Sequence, residues 1–300
     1  MVDFHEFFVA ILRSGTPLVY AAMAGVIVQR SGIWHLGLEG IMIIGACATI
    51  VGIVLTHSFT IAILAATLTC VAASALQWFV IEKLRANQII VGLGITGIGI
   101  GGTAFAVEII FGSLAAVSAP FGVPRIGGDF GPYSRLSILV LAMPFVVLAI
   151  WVLLSRTRFG LRLAAAGEHP FAARSVGANP SVMRLLAFAA GGILCALAGA
   201  ELAAGSLQIF AQNMVAGRGF MGFAAVIFGG GHPVGSALAA AFFSLVGVAG
   251  IRMQIHFGAF VSHDLLLCLP YLATVLGVWL TSRTRRGTRA AAQIAELQDH

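Results

Sequence analysis

The feature that most limits the fold of this chain is a recurring run of about twenty apolar, nearly uncharged residues, the length a helix needs to cross the hydrocarbon core of a bilayer. Nine segments read this way: 7–29, 36–56, 59–81, 89–112, 136–155, 185–206, 219–231, 234–253 and 265–282. The seventh is short and Gly-rich, so it reads as a half-helix or a re-entrant piece. The strict apolar-polar alternation of barrel strands is absent from all of them. In lipid every backbone polar group must be satisfied internally, so such runs fold as helices. The expected fold class is therefore all-α, a polytopic transmembrane helical bundle of about 8–10 membrane segments, with residues 1–300 forming a single domain.

Composition removes the soluble alternatives. Charged residues make up 9% of the chain and hydrophobic residues 59%, whereas a soluble domain carries roughly a quarter charged residues. The net charge of +6 does not point to nucleic acid, because the cations sit in links between apolar runs. Twelve of the seventeen Lys and Arg fall at Arg30, in 82–88, in 156–184 and in the tail 283–300. Nine crossings put these four regions on one side. The positive-inside rule makes that side the cytoplasm, with the N-terminus outside and the C-terminal tail inside. The Gly- and Pro-rich link 113–135 then lies outside. Asp3 and Glu6 replace the basic n-region of a cleavable signal, so the first run is expected to stay as an anchor.

Enzyme-like constellations are missing. Cys47, Cys70, Cys195 and Cys268 all lie inside apolar runs without a CxxC spacing, so they read as small buried residues, and no metal site is expected. His256, His263 and Asp264 share one link but fit no usual metal spacing. Gly92, Gly94 and Gly97 formally fit GxGxxG, but no strand precedes them, and Gly97 with Gly101 reads better as a GxxxG helix-packing pair. The chain has no GxxxxGK[ST] loop, so a function driven by ATP must take its motor from another chain. Gly192, Ala196, Ala200 and Ala204 form a small-residue ridge suited to close helix contact.

Four charged groups fall in or near the spans: Arg13, Glu39, Glu108 and Glu201. An ionised group at mid-bilayer costs on the order of 3 kcal/mol or more, so it faces protein or water. Glu39 reads either as a path-lining acid or as a fixed partner for a backbone donor or an arginine. Glu108 and Glu201 lie toward the outer ends of their helices, within reach of the interface. Asn213, Arg218 and Phe220 flank the short seventh segment, where they could meet a polar, ring-bearing solute or cap a helix. Residues 36–46 and 221–231 are weakly self-similar and run in opposite directions on this topology, as in the inverted repeats of transporters. The cytoplasmic link 156–184 predicts a short surface helix over about 170–176, with Pro170 in its first turn and Gly177 as its C-cap.

Four stretches carry a family resemblance: SGIWHLGLEG (31–40), RANQIIVGL (85–93), TRFGLRLAAAGEHPFAARSVG (157–177) and NMVAGRGFMGFAAVIFGG (213–230). They resemble the permease family of bacterial ABC importers for nucleosides, simple sugars such as ribose, and branched-chain amino acid-like solutes. The length resembles the shorter member of a heterodimeric pair. The resemblance implies a type II-like importer permease in the inner membrane, paired with a second permease. It further implies ABC ATPase subunits that hydrolyse ATP, and a periplasmic or lipoprotein solute-binding protein. No cofactor and no enzymatic activity are implied for this chain. Gly160, Arg162, Gly167, Glu168, Pro170, Ala173 and Gly177 match the family's coupling loop, which docks on the ATPase. His35 and Leu36 stand where the family usually has Asn and Ile, and Asn87-Gln88 where it usually has Asn-Glu. With Glu39, Asn213, Arg218 and Phe220, the residues His35, Asn87 and Gln88 make the candidate set for path or gate. The rival reading is a stand-alone secondary transporter or channel, against which stands the lack of paired intramembrane acids.

Overall fold

The computed structural model describes residues 4–112, 116–125, 133–134, 136–175 and 177–257. The ninth apolar run, the tail 283–300, His263, Asp264, Cys268 and the side chain of His256 lie outside the described residues. Ten helices follow one another within them: α1 (Phe4–Arg30), α2 (Leu38–Thr56), α3 (Phe59–Glu82), α4 (Gln88–Phe111), α5 (Ile138–Arg156), α6 (Arg158–Glu168), α7 (Pro170–Ser175), α8 (Pro180–Ala200), α9 (Arg218–Phe228) and α10 (Pro233–Phe257). Seven of these are long and apolar enough to span a bilayer, and α8 is continued by the π-helical turn Glu201–Leu207 into one helix of 28 residues. The only β-structure among the described residues, apart from an isolated bridge, is the antiparallel pair β1 (Val117–Ser118) and β2 (Ile209–Phe210).

Burial sorts the spans into a centre and a periphery. The most apolar stretches of α1, α2 and α8 are 78%, 72% and 67% buried, against 22–33% for α3, α4, α5 and α10. Large apolar side chains such as Leu68, Ile98, Phe105, Ile109 and Phe145 point outward from the peripheral helices. An apolar rim around an apolar core is what lipid, not water, selects. Helix starts are set by short polar side chains. Asn87 accepts the Ile89 and Ile90 N–H groups, Ser137 accepts that of Val140, Thr157 that of Gly160, and Asn179 that of Ser181. Each satisfies a backbone donor that the helix itself leaves free.

Small residues decide how closely the helices approach. A Cβ on Gly192 would lie 2.8 Å from the Cys70 carbonyl oxygen and the Ser74 hydroxyl, so the ridge on α8 is what admits α3. The α2–α4 contact is equally tight: a Cβ on Gly99 would lie 2.6 Å from the Gly40 carbonyl oxygen, and one on Gly92 2.5 Å from Leu36 Cβ. The expected GxxxG pair is not used in these contacts within the chain. A Cβ on Gly97 or Gly101 would meet nothing within 4 Å among the described residues, and Gly92 and Gly99 make the α2–α4 contact. They lie seven residues apart, two helical turns on one face.

Glu201 also departs from expectation. It is fully buried and does not reach an interface; its Oε2 accepts the Ser137 hydroxyl at 2.5 Å. Ser137 therefore caps α5 and holds the π-helical turn after α8. Glu108, by contrast, is exposed in the last turn of α4.

Candidate functional site

Two of the apolar segments start inside the bundle and not at its rim. The link 31–37 leaves the end of α1 and turns inward, so that Gly40 packs on Ile95 and Thr96 of α4. Thr96 is eight residues into α4, about 12 Å along its axis. From there α2 runs away from the end of the bundle marked by Arg30. Helix α9 is the counterpart. After β2, residues 211–217 are non-helical, and α9 begins with Gly219 against the backbone of Glu39. It then follows α1, with Gly222 beside Ala21, Val226 beside Gly25 and Gly231 beside Gln29. Thus α2 and α9 start from one point and run in opposite directions, and 211–228 together complete one crossing.

Glu39 sits where the two helix N-termini meet. Its Oε1 accepts the Gly217 N–H at 2.7 Å and its Oε2 accepts the Gly219 N–H at 2.6 Å. Both oxygens therefore face free donors at the positive end of α9, the placement that best offsets the cost of burying a carboxylate. The sequence folds this way because 213–217 is a tight turn. Asn213, Ala216 and Gly217 all have positive φ, at 56°, 48° and 83°. The turn is held by Arg218, whose Nη1 donates to the Met214 and Val215 carbonyls at 3.2 Å each. Asn213 and Phe220 remain exposed, so the broken segment keeps an accessible face.

The other predicted path residues lie toward the end of the bundle at Arg30. His35 is buried, its ring 5.1 Å from that of Phe188. Asn87 caps α4, and the Gln88 Oε1 accepts the Trp34 N–H at 3.0 Å, anchoring the inward-turning link. So His35, Asn87 and Gln88 act on the link before α2, while Asn213, Arg218 and Phe220 belong to the turn before α9, and Glu39 joins the two groups.

The link between α5 and α8 is more structured than its sequence suggests. The expected short helix is present as α7, with Pro170 opening it and Gly177 closing it at φ 79°. The Gly177 N–H bonds to the Arg174 carbonyl and the Ala178 N–H to that of Ala173. The amphipathic α6 precedes it, burying Gly160, Leu163 and Ala166 while Arg162 and Glu168 stay exposed. A Cβ on Gly160 would lie 2.5 Å from the Leu153 carbonyl oxygen, and one on Gly167 2.5 Å from that of Arg30. The two glycines seat α6 on the ends of α5 and α1. Ala173 is buried, whereas Phe171 beside it is 84% exposed.

Sequence reasoning passed over the tie that closes this end. Arg184 donates from Nη1 to Glu82 Oε2 at 2.7 Å and from Nε to the Ser31 carbonyl at 3.2 Å, joining α8, α3 and the end of α1. Glu82 and Arg184 are 102 residues apart in the chain, so no local signal links them. Arg30, Lys83, Arg85, Arg156, Arg158, Arg162, Arg174 and Arg184 all gather at this one end of the helices.

The family described as the branched-chain amino acid transport system / permease component matches residues 7–276. The chain is 31% identical over 292 residues to the guanosine ABC transporter permease protein NupQ of Bacillus subtilis, covering 90% of this chain and 89% of the relative. It is 29% identical to the nucleoside ABC transporter permease protein NupC of Lactococcus lactis, with 87% of each chain covered. It is also 29% identical to the putative glucose ABC transporter permease protein TsgC13 of Haloferax volcanii, covering 82% of this chain and 77% of the relative.

Proposed function

This chain belongs to the permease family of branched-chain amino acid transport systems, and from that premise we propose that it forms, with a second and unlike permease, the path of an importer for a nucleoside. It is a multi-pass membrane protein and the permease of an ATP-driven importer. Nucleoside is favoured because two relatives covered over most of their length carry guanosine or nucleoside in their names. A simple sugar is the second reading, favoured by the glucose-named relative. ATP is bound and hydrolysed by partner ATPases, and an external binding protein delivers the solute.

The observation that carries the transport mechanism is the meeting of α2 and α9 at Glu39. Transporters use helices broken near mid-membrane because their free backbone ends can face a solute while the rest of the bundle stays satisfied. In this reading Glu39, Arg218 and Asn213 hold the break, His35, Asn87 and Gln88 hold the link that enters it, and Phe220 faces the solute. Gly160, Arg162, Gly167, Glu168, Pro170, Ala173 and Gly177 form the coupling element, which moves with the ATPases and passes that motion through Gly167 to the end of α1. The gathering of cations at the α6–α7 end supports a cytoplasmic placement of that end, an external N-terminus and residence in the bacterial inner membrane.

The test is uptake into proteoliposomes that hold both permeases and the ATPases, with the binding protein added outside. Labelled guanosine should accumulate with ATP, and excess unlabelled nucleoside should compete where glucose does not. Competition by glucose alone would move the assignment to sugars. Uptake driven by an ion gradient without the ATPases would remove the proposal.

A further inference from the structure

A cavity of about 920 Å³ opens at the basic end, bounded by the link after α1, the α3–α4 corner and α6–α7. Among its lining residues are Trp34, Glu82, Arg85, Asn87, Arg174 and Arg184. Glu82 is the only acid among its lining residues, and it is already paired with Arg184. Arg85 and Arg174 take part in no ion pair among the described residues. Two guanidinium groups are thus left uncompensated in one concave site, at a volume typical of small-molecule pockets.

Two further features point the same way. The cavity wall includes Asn87, Gln88 and Ile89, the start of the 24-residue α4, so the positive end of a long helix adds to the arginines. Arg85 also holds a φ of 54°, unusual for a residue with a side chain. Its conformation is fixed by the N–H of Ala86, which bonds to the Val80 carbonyl. The planar donor fork of a guanidinium suits bidentate binding of two oxygens of a tetrahedral phosphate.

We propose that this cavity binds the phosphate of an anionic phospholipid head group. The same chemistry would admit a free phosphate, but the surroundings favour lipid. The helices meeting at the cavity, α3 and α4, carry exposed Leu76, Phe79, Ile90 and Leu93 on the adjoining turns. These give acyl chains an apolar surface beside the head group. Basic pockets between transmembrane helices are a recurring form of head-group site. The bound lipid would tie the α3–α4 corner to α7, and so to the coupling element. The inference does not depend on which solute is carried.

Native mass spectrometry of the delipidated importer tests it without a transport readout. Phosphatidylglycerol should be retained in preference to phosphatidylcholine, and inorganic phosphate should compete only weakly. The R85Q/R174Q double variant should weaken phosphatidylglycerol binding roughly thirtyfold, from two lost surface-type charge contacts. R156Q/R158Q removes two cations at the same end outside the cavity and should change it little. R85K/R174K should recover part of the binding, which separates loss of the site from loss of the fold. An equal effect of both Gln pairs, or none from R85Q/R174Q, overturns the proposal. Full displacement by phosphate alone would make it a free-anion site and overturn the lipid assignment.

Discussion

Glu39→Gln isolates what the carboxylate contributes at the junction of α2 and α9, because the shape of the side chain is kept. Gln offers one oxygen where Glu39 offers two, and its amide would point donor hydrogens at either the Gly217 or the Gly219 N–H. One charge-assisted bond of about 1.5–3 kcal/mol is lost. The favourable meeting of a negative charge with the α9 N-terminus, worth up to about 2 kcal/mol when partly buried, disappears as well. Removing the charge also lifts its desolvation cost, so the net loss settles near 3 kcal/mol, about a hundredfold in the local opening equilibrium. Hydrogen–deuterium exchange of the purified permease in nanodiscs reads this directly. The amides of Gly217 to Phe220 should lose about two orders of magnitude of protection, while those of α3 and α8 keep theirs, and ATP-driven uptake should fall with them. Unchanged protection at 217–220 in E39Q would refute the idea that Glu39 fixes the start of α9.

Further substitutions probe the other contacts. Gly99→Ala should lower thermal stability by about 1–3 kcal/mol because its Cβ meets the Gly40 carbonyl, whereas Gly97→Ala, which faces open space, should leave the melting temperature of the isolated chain unchanged or slightly raised. Gly167→Val should unseat α6 from the end of α1, so that the ATPase no longer co-purifies while membrane insertion stays normal; retained co-purification would argue against this seat. Arg184→Gln and Glu82→Gln should each destabilise the chain. Their double-mutant cycle in thermal unfolding should give a coupling of about 1 kcal/mol, as the pair is only part-buried; zero coupling would mean that Arg184 acts through Ser31 alone.

Much of this architecture follows from local sequence. The apolar runs mark seven of the spanning helices, and Pro170 and Gly177 bound α7 within a residue or two of its expected limits, because proline and glycine have conformational preferences that no distant residue is needed to express. The short, Gly-rich seventh run reads as a half-helix for the same reason. What local sequence does not contain is pairing across the chain. That Glu39 meets Gly217 and Gly219, that Arg184 meets Glu82, and that Gly92 and Gly99, not Gly97 and Gly101, admit α2 all depend on which faces are turned together. In an apolar bundle hydrophobicity hardly distinguishes one face of a helix from another, so periodicity is nearly silent about facing. Steric fit at a few glycines and the need to satisfy each buried charge make that choice, and both exist only once the helices are packed.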